Sequence, residues 1–167
     1  MPDPSASQPM NMPGVQPEID ETPDVSQLDS LPGFAKLPDV EREIFRKTII
    51  LQIPYYERLE RWANDANTIK SGRDASTALR TYIAYQDDFA EKMQVLDKEF
   101  QGKIDPGYLE SKQFGKVVDA YMSDPQLTKR IEYIMQSYVS LLQRFKNDPA
   151  CKEVFEDLNR MAAEAQP

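Results

Sequence analysis

Residues 74–102 read DASTALRTYIAYQDDFAEKMQVLDKEFQG, and their spacing decides the fold class. Ala75, Leu79, Tyr82, Gln86, Phe89, Met93, Leu96 and Phe100 recur in a four-three alternation that places them on one side of an α-helix. Asp74 offers an N-cap and Gly102 a stop. Gln86 is the one polar residue in this set, and has two readings: a buried amide that needs hydrogen-bond partners and can fix register, or a side chain rotated outward.

The same reading extends in both directions. Upstream, Val40, Ile44, Leu51, Tyr55, Leu59, Trp62, Ala66 and Ile69 predict a long helix from Pro38-Asp39 to about Lys70, closed by Ser71-Gly72 with Gly72 in the left-handed cap conformation. Pro54 falls inside it and predicts a kink or break between Leu51 and Tyr55, because proline removes one backbone bond and crowds the carbonyl four residues back. Downstream, Asp105-Pro106, Asp124-Pro125 and Asp148-Pro149 each read as an N-cap followed by a first helical residue whose N–H has no partner to lose. They predict helices over about 106–122, 125–146 and 149–165. The last two carry the periodic sets Leu127, Ile131, Ile134, Tyr138, Leu141, Phe145 and Cys151, Val154, Leu158, Met161. No stretch alternates with period two, so no sheet is expected. Short connections make neighbouring helices mostly antiparallel. The prediction is an all-α protein, a four- to five-helix antiparallel bundle over residues 38–167 behind a disordered Pro-rich N-terminal tail and linker over residues 1–37.

The tail is read from composition. Eight of the 13 prolines lie in the first 38 residues, among Ser, Gln and Asp and with few apolar side chains, which leaves too little to bury against the entropy of ordering the chain. Leu28, Leu31, Phe34 and Leu37 interrupt this pattern. They recur every third residue across Pro32 and Gly33, and have two readings: a linker laid over a groove of the bundle, or a partner-binding motif.

Charge and composition exclude several function classes. Acidic residues outnumber basic ones 28 to 20, for a net charge of −8, so no nucleic-acid partner is expected and a basic protein partner is electrostatically easier. The absence of histidine removes His-dependent triads, His-ligated zinc and haem, and Glu-x-x-His di-iron sites. Cys151 alone makes neither an intrachain disulfide nor a thiolate metal site. No cofactor or metal is expected, and no catalytic residue is assigned. No stretch reaches the ~18 consecutive apolar residues of a membrane span, so direct membrane insertion is not expected. If Met1 is the native start, a cytoplasmic location is expected; if it replaces a removed export signal, the tail becomes a tether at a membrane or at a mature terminus.

Three kinds of residue remain as chemistry. Asp87 and Glu91 share a helix face, but the acid-then-base pairs Asp88/Lys92, Glu43/Lys47, Glu57/Arg61 and Glu156/Arg160 mark such faces as solvated surface. Cys151 sits in a first helical turn, where backbone N–H groups favour a thiolate, yet Asp148 and Glu153 oppose it and its spacing points inward. Tyr55, Tyr56 and Trp62 cluster at Pro54 and could line a pocket for an apolar ligand, with Tyr82, Tyr85, Tyr121, Tyr133 and Tyr138 supplying hydroxyls nearby; ordinary bundle packing accounts for the same residues. The leading functional expectation is a non-catalytic protein-protein interaction module, an accessory, adaptor or scaffold subunit docking through an exposed aromatic helix face or through residues 28–37. The alternative is a helical-bundle binder of an apolar small molecule or lipid at Tyr55, Tyr56 and Trp62.

Overall fold

A computed structural model describes residues 23–166. The tail predicted as disordered lies, over residues 1–22, outside the described residues. Five α-helices form the body: α1 Asp39–Ala66, α2 Gly72–Phe100, α3 Lys112–Met122, α4 Pro125–Phe145 and α5 Lys152–Glu164. Four 3-10 turns accompany them, at Ser26–Ser30, Phe34–Lys36, Tyr108–Glu110 and Pro149–Cys151, and there is no strand among the described residues. The all-α bundle expected from the periodicity is the fold.

Cross-helix contacts give the directions. Arg58 Nη1 lies 3.4 Å from Asp88 and Trp62 Nε1 donates to the Ala78 carbonyl at 2.8 Å, while Lys47 pairs with Glu99, so α1 and α2 run antiparallel. Arg130 meets Glu60 at 2.6 Å, the Tyr133 hydroxyl donates to Asn64 at 2.6 Å and Asn67 donates to Ser137 at 3.0 Å; numbers rise together, so α4 runs in the same sense as α1. The chain manages this by crossing the lower half of α1 in α3, where Phe114 and Tyr121 lean on Phe45, and then climbing the upper half in α4.

The main core joins Leu59, Trp62, Ala63 and Ala66 of α1 to Ala75, Leu79 and Tyr82 of α2, Ile134 and Leu141 of α4, Cys151, and Val154 of α5. Two smaller cores lie at the other end. One joins Ile44, Leu96 and Phe100; the other joins Phe45 and Ile49 to Phe114, Val117, Leu28, Phe34 and Leu37. The boundary drawn at residue 38 therefore falls inside packed structure. Two 3-10 turns separated by Gly33, whose φ of 83° requires glycine, fold residues 26–37 into a strap that lays Leu28, Phe34 and Leu37 over α1 and α3. Asp29 fastens it to Arg46 at 2.7 Å, and Gln113 donates to the Lys36 carbonyl at 3.3 Å.

The helices depart from expectation in five places. Of the kink or break expected at Pro54, the break does not occur: α1 is continuous, with Pro54 on its exposed side, where water can satisfy the freed carbonyl. The first helix ends at Ala66 instead of Lys70, and Gly72 is the first residue of α2 instead of a left-handed cap. The reason is a side chain that sequence spacing does not reveal: Arg144 of α4 donates to the carbonyls of Ala66 and Ile69, at 2.9 and 2.8 Å, and finishes α1. Ser71, not Asp74, caps α2, accepting from the Asp74 N–H at 3.2 Å. In the third helix, Asp105 accepts from the Gly107 N–H at 2.8 Å and holds a turn, so α3 waits for the Ser111 cap and starts at Lys112. Asp124 caps α4 as its Asp-Pro pair predicts, and Asp148 caps a 3-10 turn that leads into α5.

Candidate functional site

Tyr55, Tyr56 and Trp62 do come together with other rings, but the rings pack on one another. Tyr55 stacks on Phe89 of α2 with centroids 4.3 Å apart and lies 5.6 Å from Tyr56; Trp62 packs against Tyr82 at 4.9 Å and Tyr138 at 6.4 Å, and Tyr82 stacks on Tyr138 at 4.6 Å. Trp62 is buried, and its only N–H is taken by the Ala78 carbonyl. Gln86 finds its partners here, in the hydroxyls of Tyr55 and Tyr82. Burial raises the pKa of Tyr55, Tyr56 and Tyr138, and pushes that of Tyr82 up to about 12, since a phenolate would lose its water there.

Leu28, Phe34 and Leu37 are buried in the strap core and Leu31 is half-buried beside them. Phe34 packs on Phe45 at 5.9 Å and carries the Arg46 guanidinium over its ring at 5.1 Å. Their partners in this structure are side chains of the same molecule; Phe34 and Leu37 could be reached by another protein only by lifting the strap, while an edge of Leu28 lines a surface groove.

Exposed apolar surface lies elsewhere. On the outer side of α4, Met135 and Val139 are 47% and 43% exposed, with half-buried Ile131 and Leu142 along the same stripe. Eleven consecutive residues, 133–143, carry no formal charge in a chain that is 29% charged. A run of this kind is uncharged on both faces, whereas a surface helix ordinarily places charge on its outer one. That was the signal available in the sequence; the periodic inward residues of α4 concealed it.

Two surface grooves adjoin the base of α4. The larger, of about 260 Å³, has Leu28, Ile49, Ile53, Tyr121 and Leu127 as its apolar floor and wall, with Asp24, Gln27, Asp124, Gln126 and Arg130 among its polar lining. The other is polar, lined by Glu57, Glu60, Arg61, Asn64 and Arg130. Neither is lined by Tyr55, Tyr56 or Trp62.

Cys151 and several of the charged pairs have structural employment. Cys151 is fully buried, with Sγ 3.2 Å from the Gly72 carbonyl, and burial together with the Asp148 carboxylate pushes its thiol up, away from the reactive thiolate. Among the pairs expected at spacing four, Lys92 meets Asp88 at 3.0 Å and Lys47 meets Glu43 at 3.7 Å. Arg160 meets Asp157 at 2.7 Å, and Asp157 also takes Arg80; these guanidinium bonds hold its carboxyl below the usual range. Among the described residues no three acidic or thiol side chains converge to hold a metal ion, and no helix is long and apolar enough to cross a membrane. No family model, curated protein or solved structure matches the chain.

Proposed function

We propose that this chain is a non-catalytic protein-protein interaction module, an accessory, adaptor or scaffold subunit of a larger assembly. The observation that carries the reading is the uncharged outer stripe of α4, where Met135 and Val139 stand exposed. Exposed apolar side chains on a rigid helix, one of them the flexible Met135, suit docking against another protein, and their hydration favours covering them. Glu43, Asp88 and Asp157 are in ion pairs, Asp124 and Asp148 in caps, and Tyr55, Tyr82 and Tyr138 in ring packing. A binder of an apolar small molecule or lipid has less support, because Tyr55 packs on Tyr56 and Phe89, and Trp62 on Tyr82 and Tyr138.

The test uses full-length protein as bait in an extract of its own organism, beside the variant Met135→Glu/Val139→Glu. Both positions are exposed, so circular dichroism of the variant should match that of the parent. The proposal expects a stoichiometric partner with the parent and its loss with the variant. Recovery of no partner by the parent, or of the same partner by both, counts against this use of α4.

A further inference from the structure

The larger groove lies at the base of α4, apart from the Met135 and Val139 stripe, and combines two properties. Its floor is apolar, through Leu28, Ile49, Ile53 and Leu127. Its rim is acidic: Asp24 and Asp124 stand on it, while Arg130, the one cation of the lining, is tied to Glu60 at 2.6 Å. Both aspartates already accept one backbone N–H, from Ser26 and Gln126 at 2.9 and 3.0 Å, which fixes their carboxylates in place and leaves the charge undiminished. Backbone N–H bonding also holds the Asp24 carboxyl below its ordinary range.

The sequence that leads into the groove extends the same sign. Glu18, Asp20 and Glu21 precede Asp24, and the first basic residue of the chain is Lys36. Asp20 and Glu21 precede Asp24 by four and three positions in sequence. These acidic residues disfavour the chain's own leading segment as the occupant, because it would bring carboxylates onto a carboxylate rim. They favour a cationic guest.

We infer that this groove receives a basic segment of a partner protein, with an aliphatic side chain seated on Leu28, Ile53 and Leu127 and flanking lysines or arginines on Asp24 and Asp124. This rests on the interaction reading but not on the α4 stripe. A volume of about 260 Å³ admits one or two aliphatic side chains and not a folded element, so the recognised unit is a short linear segment.

The probe is a fluorescein-labelled octapeptide with two central leucines and three lysines on each side, titrated against the full chain at low and high salt. Two controls replace the leucines by alanines or the lysines by glutamates. Asp24→Asn/Asp124→Asn keeps both acceptor oxygens for the caps and removes two charges; Gln27→Trp fills the groove from an exposed position. The inference expects saturable binding of the leucine-lysine peptide, weakened about three- to tenfold by the double amide variant and by added salt. It further expects binding to be abolished by Gln27→Trp and unchanged by Met135→Glu/Val139→Glu. Absent binding, equal binding of the alanine control, or indifference to the groove variants overturns the groove. Each of those results leaves the α4 bait experiment to judge the broader reading separately.

Discussion

Two glycines of the same bundle answer to opposite rules. Gly72 is buried at the start of α2, where an added methyl would meet the Asp148 carboxylate at 2.2 Å; that carboxylate is held by its cap to the Ala150 N–H and cannot swing away freely. Gly115 lies inside α3 with nothing within 4 Å of a methyl. Gly72→Ala should therefore lower stability by about 1–3 kcal/mol through overpacking. Gly115→Ala should raise it by about 0.5–1 kcal/mol, because alanine loses less freedom on entering a helix. Urea midpoints of the two variants decide; equal shifts would contradict the packing described at the α2 terminus. Sequence reading assigned Gly72 to a helix stop because glycine after a helix is usually one. The contact that demands glycine comes from Asp148, 76 positions away in sequence, and no local pattern encodes it.

Tyr82 gives the pH dependence. Its hydroxyl is pushed up to about 12 by burial, from an ordinary value of 10, so between these values the folded chain retains a proton that the unfolded chain has released. The stability linked to Tyr82 is thus complete below about pH 10 and declines as pH rises toward 12. Tyr82→Phe keeps the ring on Trp62 and Tyr138 and removes this titration, so its stability should fall less steeply across that window than the parent's. Parallel curves from chemical denaturation at a series of pH values would contradict the burial of the hydroxyl.

At the scale of elements, the strap takes the first of its two readings, a linker laid over a groove of the bundle. Proline content and broken periodicity made residues 26–37 look like a linker, and the spacing of Leu28, Leu31, Phe34 and Leu37 left open whether they serve the fold or a partner. What decides the packing is a groove built from α1 and α3, which pairing across the bundle creates and which a single stretch of sequence does not display. Burial of Leu28, Phe34 and Leu37 contributes roughly 1.5–3 kcal/mol each, a large share of the ~5–15 kcal/mol of a typical domain. A chain beginning at Pro38 should lose cooperative unfolding, or show a strongly lowered melting temperature with bound hydrophobic dye, since Phe45, Phe114 and Val117 would be uncovered. Unchanged melting of that truncation would show that the strap is dispensable. The long helices, by contrast, were legible almost residue by residue, because periodicity over more than twenty positions outweighs one internal proline. Their ends were not, since Arg144, Ser71 and Ser111 set them by hydrogen bonds that spacing alone does not rank.

At the scale of the molecule, the inner surfaces are consumed by packing. Three cores occupy the bundle, the tyrosines and tryptophan that suggested a pocket fill each other's space, and the cysteine is sealed under α2. The outside carries an uncharged stripe on α4 and, at its base, a groove with apolar residues and two aspartates in its lining. The stripe was readable in the sequence as a charge-free run. The groove was not, because its lining comes from residues near 24–28, 49–53, 121 and 124–130, which only the fold assembles.

The most direct test places a photo-crosslinking amino acid at Val139, on the stripe, and in a second protein at Ala90, an exposed position on α2. Each full-length protein is irradiated in extract of its own organism. The account predicts a discrete adduct of defined mass from position 139 and none from position 90. No adduct from 139, or the same adducts from both, would contradict the assignment of α4 as the docking face.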